Sequence, residues 1–156
     1  MKSKYLLFLI LISFMGCNAI YEDGNELAEV VKKDIAEISV DSLKALQESG
    51  EGFLLIDVRQ PAEYEAGNIA GAVSIPRGQL EFTILDDFYW EEQFMYTPEK
   101  TDQIVIYCKV GGRGALATQS LQQLGFENVA NLEGGYMAFT GGEIPVQKVE
   151  SGGCGG

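Results

Sequence analysis

The sequence contains no histidine. A histidine general base and a histidine-ligated metal site are therefore both excluded. Cysteine is scarce as well: Cys17, Cys108 and Cys154 stand far apart in the chain and lack the paired spacing of a zinc site. We therefore expect neither a metal ion nor a cofactor, and any chemistry must come from the other side chains.

Basic residues are also few, with 11 Lys and Arg against 23 Asp and Glu, which gives a net charge of −12. This balance argues against nucleic acid as a partner, because neutralising phosphates needs a basic surface. Long hydrophobic runs are lacking too, since the apolar segment 5–15 is shorter than the about 20 residues of a transmembrane helix. A chain of 156 residues without an apparent internal repeat is predicted to form one domain.

The N-terminus has the order of an export signal. Lys2 and Lys4 precede the apolar segment, and Gly16 stands directly before Cys17. This order resembles a bacterial lipobox, in which the cysteine becomes the lipidated first residue, although Phe14 replaces the usual leucine. The sequence thus predicts an extracytoplasmic lipoprotein, attached by acyl chains such as palmitate on Cys17 and facing the periplasm or the cell exterior. An uncleaved anchor and a plain secretory signal are the alternatives.

The chain divides into four predicted segments. Residues 1–16 form the signal peptide, and residues 17–36 form an acidic, solvated tether. A short helix over residues 26–33, with Leu27, Val30 and Val31 facing inward, is the alternative for part of this tether. Residues 37–148 form the globular domain, and residues 149–156 form a flexible, glycine-rich tail. Because the domain and tether are acidic and repel anionic headgroups, membrane attachment is expected through the lipid alone.

A strand, a glycine-rich loop and a helix follow one another near the middle of the domain. The β-branched run 104–107 ends at Cys108, and the apolar spacing after the loop predicts a helix that stops at Gly125. Backbone N–H groups left unpaired at a helix start can converge into an anion-binding loop. This loop is predicted to stabilise a Cys108 thiolate; a buried, inert cysteine is the alternative. Its residues are Lys109, Val110, Gly111, Gly112, Arg113 and Gly114.

A second apolar run, 53–56, leads into Asp57 and Arg59, and further short motifs follow it along the chain. The ordered set resembles the rhodanese (sulfurtransferase) family over roughly residues 37–148. The motifs that carry the resemblance are Asp57-Val58-Arg59, Glu63-Tyr64, Gly67, Ile69, Gly71-Ala72, Ile75-Pro76, Cys-x4-Arg from Cys108 to Arg113, and Leu132-Glu133-Gly134-Gly135. The pattern of short strands and helices predicts a three-layer α/β domain with a mainly parallel five-stranded sheet.

The resemblance implies a sulfurtransferase that takes sulfane sulfur from thiosulfate or a similar anion. Cys108 would carry the sulfur as a persulfide and pass it to a thiol or cyanide-like acceptor. The amides of residues 109–114 would hold the charge of the terminal sulfur, Lys109 would contact the donor, and Arg113 would brace the loop. Asp57 and Arg59 are expected to support the loop rather than to react.

Two other functions fit parts of the sequence. Phosphatases and arsenate reductases that share this fold have a similar loop between a cysteine and an arginine. By resemblance their loop is Cys-x5-Arg, which is one residue longer than the Cys-x4-Arg loop from Cys108 to Arg113. The chain also fits a membrane-tethered sulfur-binding or thiol-redox module that uses Cys108 and Cys154 without significant turnover. Loss of activity on replacing Cys108 but not Cys154 would favour the enzyme.

Overall fold

A computed structural model describes residues 19–142, so the predicted signal peptide, Cys17 and the tail with Cys154 lie outside the described residues. Seven helices and five strands occur within these residues. In chain order they are α1 (Gly24–Val31), β1 (Ala36–Ile38), α2 (Val40–Ser49), β2 (Leu54–Asp57), α3 (Pro61–Glu65), β3 (Ala72–Ser74), α4 (Leu80–Thr83), α5 (Asp87–Glu92), β4 (Gln103–Tyr107), α6 (Gly112–Gln123), β5 (Asn128–Leu132) and α7 (Gly135–Phe139).

The five strands form one sheet in the order β1-β5-β4-β2-β3. Every neighbouring pair is parallel. This confirms the predicted α/β fold with five strands, and the sheet is wholly parallel. Asp57 at the end of β2 is in register with Tyr107 at the end of β4. The segments that follow these two strands therefore leave the sheet side by side, which places Arg59 and Cys108 at the same edge.

The central strands β2 and β4 are buried on both faces, which is typical of parallel strands covered by helices and agrees with their uninterrupted apolar runs. Side chains alternate between the faces along β4: Ile104 and Ile106 belong to a core with α4, α5 and α6, whereas Val105 and Tyr107 belong to a core with α2 and α7. Cys108 lies in the first of these cores and is 1% exposed. The central position of β4 thus fixes the start of the loop that follows it.

The N-terminal part of the described chain corrects the predicted solvated tether of residues 17–36. Asp23 caps α1 by accepting hydrogen bonds from the amides of Asn25 and Glu26. The helix buries Ala28 and Val31 and packs against α6. An apolar stripe of this kind is stabilised by tertiary packing rather than by the short helix itself. The packed unit therefore begins near Gly24. No helix within residues 19–142 is both long and apolar enough to cross a membrane.

Candidate active site

Cys108 stands between the end of β4 and the start of α6. The Gly111 amide donates a hydrogen bond to Cys108 Sγ at 3.2 Å, so the sulfur faces the N-terminal end of the helix. Gly111 adopts a φ of +96°, which lets the chain turn back towards the sulfur and favours glycine at this position. Backbone N–H groups at a helix start favour negative charge, and this arrangement therefore suits a thiolate.

The predicted loop residues differ in their exposure. The side chains of Lys109 and Val110 are exposed, whereas Gly111 and Gly114 are buried and Gly112 is half-buried. A Cβ atom on Gly114 would lie 2.2 Å from Asn131 Oδ1 and 3.5 Å from the Cys108 amide nitrogen. Glycine is therefore required at position 114 because the start of α6 passes directly over the buried Asn131 side chain.

Arg113 is held by Glu63 of α3. Its Nη1 and Nη2 atoms donate to the two carboxylate oxygens of Glu63, each at 2.9 Å. The hydrogen bonding of Arg113 to the Glu63 carboxylate is the main cause that raises the pKa of Arg113, and the nearby Cys108 makes a smaller contribution. The pair joins α6 to α3 across the loop, which is the arrangement expected of an arginine that braces the loop.

Asp57 and Arg59 form a buried ion pair at the end of β2. Arg59 Nε lies 3.0 and 2.9 Å from the two Asp57 oxygens, and Nη2 lies 2.6 Å from Oδ2. Arg59 Nη2 also donates to the carbonyl of Gly67 at 2.7 Å. Its guanidinium lies 4.1 Å from the ring centroid of Tyr136, within cation–π distance. These contacts tie β2, the turn before β3 and α7 together beside the Cys108 loop.

The start of α7 contributes contacts that the sequence motifs did not reveal. The Tyr136 amide donates to the carbonyl of Cys108 at 2.8 Å, and the Met137 amide donates to the carbonyl of Lys109 at 3.0 Å. A Cβ atom on Gly135 would lie 2.3 Å from that same Cys108 carbonyl oxygen. From the sequence alone, the two glycines before Tyr136 indicate a turn into a helix. The structure adds that the second of them lies directly against the backbone of the reactive loop.

A cleft of about 250 Å³ opens beside the loop. Lys109 lines it together with Arg59, Glu63, Tyr136 and Met137. Lys109 is exposed and lines the cleft, so its positive charge favours an anion that enters there. No group of three or more His, Cys, Asp and Glu side chains in residues 19–142 is arranged to hold a metal ion.

The Glu63–Arg113 pair predicts a pH-dependent contribution to stability. The hydrogen bond from Arg113 is the main cause that lowers the pKa of Glu63 from 4.5 to about 2. Because the folded-state pKa is lowered, the contribution is fully present above pH 4.5 and is lost as the pH falls towards 2. We expect Glu63→Gln to cost about 1 kcal/mol at pH 6, a value that allows for partial exposure of the pair. The cost should shrink by pH 2.5.

Urea unfolding of both proteins at pH 6 and pH 2.5 measures this difference. Glu65→Gln is the matched control, because Glu65 is exposed on the same helix and loses the same charge. Glutamine at position 63 can still accept the hydrogen bond from the Gln60 amide, so the helix cap is retained. An equal cost of Glu63→Gln at both pH values would contradict the prediction.

Comparisons with known proteins place this site in a family. The rhodanese-like domain family matches residues 39–141. A human thiosulfate:glutathione sulfurtransferase is 36% identical over 103 residues, which cover 64% of this chain and 88% of the relative. Thiosulfate sulfurtransferase 16 of Arabidopsis thaliana is 33% identical over 99 residues, which cover 62% of this chain and 81% of the relative. The chain spans 58% and 63% of the lengths of two other relatives, from Bacillus subtilis and Schizosaccharomyces pombe.

Solved structures give the same family. A human single-domain sulfurtransferase is similar with a TM-score of 0.63 and 32% identity, covering 69% of this chain and 96% of the other. A Rhodopseudomonas palustris protein of unknown function, described as a possible tyrosine phosphatase, is similar with a TM-score of 0.64 and 32% identity. That match covers 81% of this chain and 96% of the other. The sulfurtransferase relatives support a role in sulfur transfer, and this chain belongs to the rhodanese-like domain family.

Proposed function

We propose that this protein is a sulfurtransferase that carries sulfane sulfur as a persulfide on Cys108. The observation that carries the proposal is the hydrogen bond of 3.2 Å from the Gly111 amide to Cys108 Sγ. This bond directs a backbone N–H group at the sulfur. The donor stands at the start of α6, next to the cleft that Lys109 lines. A donor in this position stabilises negative charge on the thiolate and on the persulfide that replaces it.

The first half-reaction loads the sulfur. The Cys108 thiolate attacks the outer sulfur of thiosulfate, a new S–S bond forms, and the S–S bond of thiosulfate breaks. Sulfite leaves with the electron pair, and Cys108 becomes a persulfide whose terminal sulfur carries the negative charge. Lys109 attracts the anionic donor into the cleft, while the Glu63–Arg113 and Asp57–Arg59 pairs keep the loop in place.

The second half-reaction unloads the sulfur. Cyanide or a thiolate attacks the terminal sulfur, the persulfide S–S bond breaks, and Cys108 leaves as a thiolate ready for another cycle. The products are thiocyanate or the persulfide of the acceptor thiol. Two half-reactions that share a covalent intermediate give ping-pong kinetics.

Intact-mass measurement of the full-length protein tests the proposal. Incubation with thiosulfate should add one sulfur atom, and peptide mapping should find it on the tryptic peptide Thr101–Lys109, which contains Cys108. Dithiothreitol should remove it, and cyanide should remove it with formation of thiocyanate. A protein that gains no sulfur from thiosulfate or another sulfane donor would contradict the proposal. Sulfur gain without turnover would instead favour the sulfur-binding module.

The phosphatase alternative is tested on the same preparation. Hydrolysis of p-nitrophenyl phosphate that depends on Cys108, without sulfur gain, would favour it. The four residues between Cys108 and Arg113 argue against this outcome. In the phosphatases and arsenate reductases that this loop resembles, five residues separate the cysteine from the arginine, and this longer loop surrounds a tetrahedral oxyanion.

We further propose that the protein is exported and lipidated on Cys17. The support is the order of Lys2, Lys4, the apolar segment 5–15 and the Gly16-Cys17 pair. Expression in a bacterium with labelled palmitate should give a labelled protein in the membrane fraction. Cys17→Ala should abolish the label, whereas Cys154→Ala should retain it. Label on the Cys17→Ala protein, or none on the parent, would contradict the proposal.

A further inference from the structure

The segment between β3 and β4 exposes several large apolar side chains. Six of them are 40% exposed or more: Phe82, Leu85, Phe88, Phe94, Met95 and Tyr96. Other side chains of the same segment form its core, since Leu80, Ile84 and Trp90 are fully buried. Aromatic residues and methionine are enriched where proteins bind one another, so the exposed set marks this segment as a candidate interaction surface.

Phe94 adopts a backbone conformation that glycine usually supplies. Its φ is +56°, and no other non-glycine residue among residues 19–142 has a positive φ. The Phe94 amide donates to the Glu91 carbonyl at 3.0 Å, and the Met95 amide donates to the Trp90 carbonyl at 2.9 Å. This pair of bonds is the common helix ending that places glycine where Phe94 stands. Because the Phe94 ring is 98% exposed, the backbone strain is not offset by packing within the described chain.

The residues that follow Phe94 line a groove at the amino-terminal ends of β2 and β4. The groove has a volume of about 330 Å³. Its lining includes Phe53, Leu54, Met95, Tyr96, Pro98 and Asp102. Gln103 begins β4, whereas Cys108 follows the last residue of that strand. At about 3.3 Å per residue, the groove lies roughly 16 Å from Cys108 along β4. A molecule bound in the groove would therefore leave the cleft beside Cys108 open.

Carboxylates without basic partners accompany the groove. Five exposed acidic residues lie in the segments that line it or directly beside them: Glu51, Glu91, Glu92, Glu99 and Asp102. None of the five forms an ion pair within residues 19–142. Residues 78–99 contain neither lysine nor arginine. The next basic residue, Lys100, places its Nζ atom 3.9 Å from the ring centroid of Phe126 rather than on a carboxylate.

We propose that this groove and the Phe94 ring form a docking surface for a polypeptide segment that carries lysine or arginine beside apolar side chains. The apolar side chains of the partner fill the groove and cover Phe94, and its cationic groups meet the unpaired carboxylates. A second copy of this acidic chain, or an anionic membrane, would bring like charges together at the same place. The docking surface lies at the opposite end of the strands from the proposed sulfur-transfer site and does not depend on it.

Fluorescence anisotropy of a labelled peptide tests the assignment on the full-length protein. The peptide has about 15 residues, with leucines on one face of its helix and lysines on the other. Phe94→Gly should weaken binding about tenfold, as expected when an aromatic anchor is removed from an interface. Phe82→Ser removes another exposed ring, which lies outside the groove lining, and should leave binding unchanged.

Thermal unfolding of Phe94→Gly separates loss of an anchor from damage to the fold. Glycine relieves the strain at a φ of +56°, so the Tm of the variant should rise by about 2 °C while its peptide binding weakens. A structural role for the ring would instead lower the Tm. Weakened binding together with a lowered Tm would therefore contradict the assignment.

A second set of variants tests the charge. Glu91→Gln combined with Glu92→Gln should weaken peptide binding about threefold, and the difference should fade in about 1 M salt. Glu48→Gln combined with Glu65→Gln is the matched control, since it removes two exposed helix carboxylates elsewhere. Peptides with glutamate in place of lysine, or with serine in place of leucine, should not bind.

Three outcomes would overturn the assignment. The first is equal peptide binding, or none, by the parent protein and Phe94→Gly. The second is a dimer in sedimentation that Phe94→Gly dissociates, which would make a second copy the occupant. The third is binding to phosphatidylglycerol vesicles that Phe94→Gly abolishes, which would make a membrane the occupant. None of these measurements needs sulfur transfer, so failure of the proposed function is detected separately by the absence of a persulfide.

Discussion

Cys108→Ser is expected to abolish thiosulfate-dependent thiocyanate formation, with a loss of about 10³-fold or more, as for removal of other catalytic nucleophiles. A serine hydroxyl is not ionised near neutral pH and cannot carry a sulfane sulfur. The fold should survive, because serine is close in size to cysteine and its oxygen can accept the hydrogen bond from the Gly111 amide. We expect a cost in stability of about 1 kcal/mol. Thiocyanate assays and thermal unfolding of the two proteins measure these effects.

Cys154→Ser is the matched control for this prediction. Cys154 lies outside the described residues, and a simple Cys108 persulfide cycle does not need it. We therefore expect this variant to keep the parent rate. Turnover that persists in Cys108→Ser would show that a residue other than Cys108 carries the sulfur. Turnover that is lost in Cys154→Ser would favour the alternative in which the two cysteines act together.

The fold was predictable because its signals are local. The apolar runs that become β2 and β4 lack alternation, which is the pattern of strands buried on both faces. Glycine at 125 marks the end of α6 and adopts a φ of +89°. Helix starts are harder to predict: Asp41 is of a residue type that often caps helices, but Ser39 caps α2 by accepting a hydrogen bond from the Ser42 amide. Neighbouring Ser and Asp residues offer equivalent caps, so local sequence does not decide between them.

The parts of the site that sequence reasoning missed depend on contacts between distant segments. Glu63 was noted as part of a family motif, but its ion pair with Arg113 joins residues 50 positions apart. The segment that forms α1 is predicted as a tether from sequence, because a helix of eight residues with a short apolar stripe is only marginally stable until α6 covers that stripe. The Asn131 bond to Glu37 likewise becomes visible only once β1 and β5 are paired.

Gly135→Ala is expected to have the largest effect on stability among the variants considered, because two costs coincide there. The residue has a φ of +59°, which strains any side chain with a Cβ, and that Cβ would lie 2.3 Å from the Cys108 carbonyl oxygen. The obstacle is backbone and cannot rotate away. Together the strain and overlap should cost about 4 kcal/mol.

Gly141→Ala separates the two costs of Gly135→Ala, since Gly141 has a similar φ of +69° and a Cβ there would meet no atom of residues 19–142 within 4 Å. It should cost about 1 kcal/mol, the price of the backbone strain alone. Urea unfolding compares the two variants. If Gly135→Ala folds at low temperature, the shifted carbonyl of Cys108 should displace the loop and slow thiocyanate formation, whereas Gly141→Ala should keep the parent rate. Equal stability and equal turnover of the two variants would show that α7 does not position the reactive loop.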